Sequence, residues 1–70
     1  MKAEELIKKE RPIESLYEEI KRANENGDYR LPCPPWRYIS NNTVVRLVAD
    51  GFKCSYIKDS FGLEYLLIEW

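Results

Sequence analysis

The last eight residues constrain the fold of this chain most, because an extended segment there is apolar on both sides. Over residues 63–70, one side carries Leu66, Ile68 and Trp70, and the other carries Leu63, Tyr65 and Leu67. Apolar residues on both sides are typical of a central strand, or of a strand whose second side meets a partner. We therefore predict that residues 63–70 form the centre of a sheet.

An amphipathic helix is predicted near the start of the chain. Apolar residues recur at helical spacing between residues 3 and 23, and Pro12 interrupts them. The pattern predicts a helix over residues 12–26 that ends at Gly27. A short helix over residues 2–10, frayed or separate, precedes it, and one helix kinked at Pro12 is the alternative.

A second helix is predicted over residues 41–50. Ser40, Asn41 and Asn42 are candidate caps at its start. Gly51 is the expected cap at its end, where Phe52 can contact Leu47 in a Schellman arrangement. Val44, Leu47 and Val48 are its predicted buried residues.

Two further strands complete the predicted fold. Residues 29–33 alternate in polarity, with Pro32 indicating a sheet edge, and residues 52–58 lead through a turn at 59–62 into the last strand. A right-handed crossover through the second helix makes the first two strands parallel. Placing the last strand between them predicts a single α+β domain over 1–70, with a three-stranded mixed sheet of order 1-3-2 and both helices on one face.

The composition disfavours enzymatic chemistry. The 70 residues include no histidine, so the usual general base near neutral pH is missing. The paired carboxylates Glu4–Glu5 and Glu18–Glu19 are interpreted as solvated charge on a helix. Two cysteines without histidine cannot close a zinc site in one chain. We expect no enzyme activity, no metal ion and no cofactor, with Cys33 and Cys54 as buried free thiols.

Residues 33–38, with the sequence Cys-Pro-Pro-Trp-Arg-Tyr, are the most informative segment for function. Prolines reduce the entropy that a loop loses on binding, and Trp, Arg and Tyr are enriched at binding hot spots. Trp36, Arg37 and Tyr38, together with Arg30, are therefore the predicted partner-binding residues. Two alternatives stay open: Trp36 plugs the end of the core, or these side chains stack on and hold a nucleotide.

A thin core in so short a chain favours self-association. We predict a homodimer or higher oligomer, with Tyr65, Leu67 and Trp70 as candidate interface residues. For Trp70 the favoured alternative is that it seals the core with Leu66 and Ile68.

Charge and hydropathy limit the class of partner and the cellular location that we expect. Eleven basic and twelve acidic residues give a formal charge of −1, with no clustered basic face, so nucleic acid is disfavoured as a partner. The first six residues lack the apolar run of a signal peptide, and no segment has the length of a membrane span. Few cysteines fit a cytosolic location.

Three segments of the chain carry a resemblance to a known group. They are residues 23–29 (Ala-Asn-Glu-Asn-Gly-Asp-Tyr), residues 47–53 (Leu-Val-Ala-Asp-Gly-Phe-Lys) and residues 67–70 (Leu-Ile-Glu-Trp). In this pattern the chain resembles small uncharacterised accessory proteins of bacteriophages and prophages. The Cys-Pro-Pro-Trp loop departs from their usual pattern. The resemblance implies no enzyme activity and transfers no site residues; it implies action in the host bacterial cytoplasm, where such proteins often inhibit a host or defence component.

The expected function is therefore that of a non-enzymatic phage or prophage accessory protein that binds and inhibits a host or immune-defence protein. One alternative is an oligomeric sponge for a signalling nucleotide. The other is a minor virion or assembly component.

Overall fold

In the computed structural model, which describes residues 2, 6 and 9–70, two helices and three strands form an α+β fold. Their bounds are α1 Ile13–Glu25, β1 Arg30–Cys33, α2 Asn41–Ala49, β2 Lys53–Lys58 and β3 Glu64–Glu69. The predicted order of these five elements is confirmed. Each predicted end lies within one residue of the observed one.

The segment just before α1 is not helical, so the alternative of one helix kinked at Pro12 is wrong. Residues 9–12 are not helical, and Pro12 is the N-cap of α1 with a ψ of 143°, an extended conformation. This conformation spares the proline ring a clash with the carbonyl four residues earlier. The predicted helix over residues 2–10 lies mostly outside the described residues.

The sheet has the order β1-β3-β2, with β3 at its centre as predicted. Leu31 pairs with Ile68 on one side of β3, and Cys54 pairs with Ile68 on the other. Both hydrogen-bonded pairs are antiparallel. β1 and β2 run in the same direction, but β3 separates them, so the sheet predicted as mixed contains no parallel pair among the described strands. Pro32 lies on the edge strand β1, where its missing N–H interrupts no interior ladder.

Both helices pack on one face of this sheet. Six buried residues form a single cluster, drawn from both helices and from two strands: Leu16, Ile20, Cys33, Leu47, Leu66 and Ile68. Leu47 and Ile68 are 0% exposed. Burying each such side chain contributes about 1.5–3 kcal/mol, so these contacts define the two-layer arrangement. Val48, predicted on the buried face of α2, is exposed because the helix meets the core through Leu47.

The helix ends follow the predicted capping chemistry. Ser40 Oγ accepts a hydrogen bond from the Thr43 amide at the start of α2. At the end of α2, the Phe52 amide donates to the Leu47 carbonyl at 3.0 Å, and Gly51 has a φ of 97°. This is the Schellman arrangement, which needs a left-handed residue and therefore favours glycine.

The β2–β3 hairpin is closed by one aspartate. Asp59 Oδ1 accepts hydrogen bonds from the amides of Phe61 (2.8 Å) and Leu63 (2.9 Å), as in an Asx-turn. This confirms the turn predicted over residues 59–62. Within the described part of the chain, neither helix is long and apolar enough to cross a membrane.

Candidate interaction surface

The connection between β1 and α2, residues 34–39, is called the Trp36 loop. Pro34 and Pro35 fix two backbone φ angles, and the Arg37 amide donates to the Pro34 carbonyl at 3.0 Å, which closes a turn. The turn presents Trp36 to solvent with 76% of its surface exposed. Trp36 therefore does not plug the core, and the alternative that placed it there is contradicted.

An ion pair ties the Trp36 loop to α1. Arg37 Nη1 lies 2.5 Å from Glu19 Oε2, and the two side chains are 16% and 36% exposed. Oε2 is buried and makes no hydrogen bond in the described structure, so the positive charge of the Arg37 guanidinium compensates its buried negative charge. Arg37, predicted to bind a partner, instead forms an ion pair within the chain.

The pairing also corrects the interpretation of Glu19 as solvated charge. Glu19 lies three residues after Leu16 and directly before Ile20, both of which are buried. This position is at the border of the apolar stripe of α1, where a carboxylate is partly desolvated. That border position is the sequence signal that could have identified it.

Beside the Trp36 loop is an open cleft of about 810 Å³. Its lining combines cationic, aromatic and proline side chains with one carboxylate from α1. Of the residues that the structure describes, those in the lining with a charge or an aromatic ring are Lys9, Arg11, Glu19, Trp36, Arg37 and Tyr38. A concave surface with this composition suits a ligand that brings both negative charge and apolar surface.

One side of the cleft is formed by the segment just before α1, which Glu10 holds in place. Glu10 Oε1 accepts hydrogen bonds from Thr43 Oγ1 at 2.6 Å and from the Ser40 amide at 2.9 Å. The hydrogen bond from Thr43 is the main reason that the pKa of Glu10 is lowered. Glu10 thus serves as a second cap for α2, supplied from 30 residues earlier in the sequence. Sequence patterns gave no signal for it.

The structure brings only part of the predicted partner-binding set together. Tyr38 lines the cleft beside Trp36 and is 46% exposed. Arg30 is exposed at the start of β1, in register with Glu69, and is not among the cleft-lining residues. Arg30 alternates with Leu31 along β1, so it faces away from the helices.

The three candidate interface residues do not form one surface. Tyr65 and Leu67 face away from the helices, and Leu67 is nevertheless only 8% exposed. Trp70 lies on the opposite face, packed against the core cluster and in edge contact with Phe52. Its indole Nε1 donates to Asn24 Oδ1 at 3.1 Å. Trp70 thus seals the core, the alternative favoured from the sequence.

The two thiols are free; Cys33 is buried and Cys54 half-buried. Burial raises the pKa of both, which keeps them protonated and weakly nucleophilic near neutral pH. Among the described residues, no three His, Cys, Asp or Glu side chains are grouped as metal ligands would be.

No family model, curated protein or solved structure matches the chain significantly.

Proposed function

We propose that this chain is a non-enzymatic phage or prophage accessory protein, and that it binds and inhibits a host or immune-defence protein through the Trp36 loop. One observation carries the proposal: Trp36 is 76% exposed, although the loop that carries it is held by three kinds of restraint. Two prolines, a backbone hydrogen bond and the Arg37–Glu19 ion pair hold it. The setting comes from the resemblance of the sequence.

The physical reason is the cost of exposing such a ring. A large apolar side chain on the surface gains nothing for folding, because its area stays in water. In a fixed loop the same ring loses little conformational entropy when a partner covers it. Tryptophan is also among the residues most enriched at binding hot spots. Trp36 is both exposed and held in place, and these are the two properties expected of a residue at a binding hot spot.

The absence of enzyme activity is part of the same proposal. Its support is the lack of histidine in the sequence and the burial of both thiols, which raises their pKa.

The experiment is affinity capture from a lysate of bacterial cells, with the immobilised chain as bait. Trp36→Ala should lose at least about 2 kcal/mol of binding, as hot-spot residues do, and should no longer capture the partner. Phe61→Ala is the matched control, because Phe61 is an exposed aromatic at the hairpin tip, outside the cleft. Capture that survives in Trp36→Ala, or disappears equally in Phe61→Ala, refutes the proposal.

A second candidate function is favoured by the cleft lining. Lys9 and Arg11 line the same cleft as Trp36 and Tyr38, and cations together with aromatic rings are also the components of a nucleotide site. A thermal-shift panel of cyclic dinucleotides and cyclic ADP-ribose tests this sponge function. Stabilisation by one ligand that Trp36→Ala abolishes would support it, and a flat panel excludes the ligands tested.

A further inference from the structure

The cleft beside the Trp36 loop is positively charged in a chain that is negative overall. Among the described residues, its lining carries three cationic side chains and one anionic one, a net charge of +2, against −1 for the whole chain. Arg37 is neutralised by Glu19. Lys9 and Arg11 have no ion-pair partner among the described residues. The excess charge of the cleft therefore belongs to Lys9 and Arg11.

These two cations are held beside the cleft by the residue between them. Glu10 is directed to the start of α2, where it accepts hydrogen bonds from Ser40 and Thr43. Fixing the middle residue of three limits the positions of its neighbours. Lys9 and Arg11 therefore line the cleft from a backbone segment that Glu10 joins to α2.

The same contact disfavours a phosphate group at the start of α2, which follows the cleft-lining Ile39. The start of a helix is a common phosphate site, because its free amides point at the ligand. At α2 the Thr43 amide already donates to Ser40 Oγ, and the Glu10 carboxylate lies at the helix start. A phosphate there would meet a carboxylate. Within the cleft, the two single cations Lys9 and Arg11 can pair with two carboxylates spaced along a peptide.

We infer that the cleft binds an acidic segment of the partner protein, with carboxylates at Lys9 and Arg11 and an apolar side chain against Trp36 and Tyr38. This inference rests on the proposed function and adds the chemistry of the partner to it. Exposed ion pairs are weakened by salt, so such binding falls as ionic strength rises.

The test uses two fluorescein-labelled peptides and the full chain. One peptide alternates Glu with Leu around a central Trp, and the other has Gln in place of every Glu. Fluorescence anisotropy should show that the acidic peptide binds at least about fivefold more tightly, since two exposed ion pairs separate the two. The preference should disappear in the double variant Lys9→Gln/Arg11→Gln.

The controls separate local from overall charge. Lys21→Gln/Lys58→Gln changes the net charge equally but alters exposed cations outside the cleft, so it should keep the preference. Trp36→Ala should weaken both peptides alike. Equal binding of the two peptides, or no binding of the acidic one, overturns the inference. Competition by ADP at lower concentration than the acidic peptide also overturns it, in favour of a nucleotide.

Capture from a lysate distinguishes a failure of this inference from a failure of the proposed function. If capture is lost in Trp36→Ala but is unchanged in Lys9→Gln/Arg11→Gln and at high salt, the proposed function stands and the acidic partner does not. If Trp36→Ala captures normally, the proposed function itself fails.

Discussion

The two tryptophans of this chain have opposite environments, and the contrast separates folding from binding. Trp70 packs against the core cluster, contacts Phe52 edge-on and donates a hydrogen bond to Asn24. Trp36 is 76% exposed on a loop that is held by contacts of its neighbours, not of its own ring. In a domain with few buried residues, an apolar ring left outside the core is available for a partner.

The largest expected effect is on stability, and it should distinguish the two rings. Trp70→Ala removes packing and should lower the free energy of unfolding by about 3 kcal/mol, the low end for a tryptophan truncation because the ring is only partly buried. Trp36→Ala should change it by less than about 0.5 kcal/mol. Urea unfolding followed by circular dichroism measures both. Similar losses in the two variants would remove the contrast.

A smaller effect is expected from the anchor of the Trp36 loop. Arg37→Met leaves the buried Oε2 of Glu19 without a counter-charge and should cost about 1–2 kcal/mol. Combining it with Glu19→Gln should recover part of that loss. A double-mutant cycle should therefore give a coupling of about 1 kcal/mol between the two residues. Additive effects would mean that the ion pair does not hold the loop.

The smallest effect concerns the second anchor, Glu10, and depends on pH. The pKa of Glu10 is lowered in the folded chain, chiefly by the hydrogen bond from Thr43. Its contribution to stability is therefore complete above the ordinary glutamate pKa of about 4.3 and is lost as the pH falls through the lower folded value.

Glu10→Gln has no proton to gain at this position. Between about pH 7 and about pH 3 it should lose less stability than the unaltered chain, as measured by urea unfolding at each pH. Parallel losses in the two proteins would show that the Glu10 carboxylate does not hold the segment to α2.

Local patterns predicted most of the fold. The doubly apolar segment at 63–70 predicted the central strand, and β3 lies between β1 and β2. The glycines and candidate caps predicted both helix ends, because capping depends on residues a few positions apart.

The site was less predictable, because its contacts join distant residues. A proline-rich loop has no periodicity, so the sequence could not decide whether Trp36 is inside or outside. Arg37 meets Glu19, and Glu10 meets Thr43, through helix placements that no local pattern encodes. The partner of Trp70, Asn24, is 46 residues away.

The central claim is that Trp36 is exposed and yet held in place. NMR relaxation of the backbone amides of residues 36–39 tests it most directly. Order parameters near about 0.85, matching those of β3, are the predicted result, because the turn and the Arg37–Glu19 ion pair restrain this backbone. Values below about 0.6 at Trp36 and Arg37 would contradict the account, since a flexible loop presents no pre-organised contact.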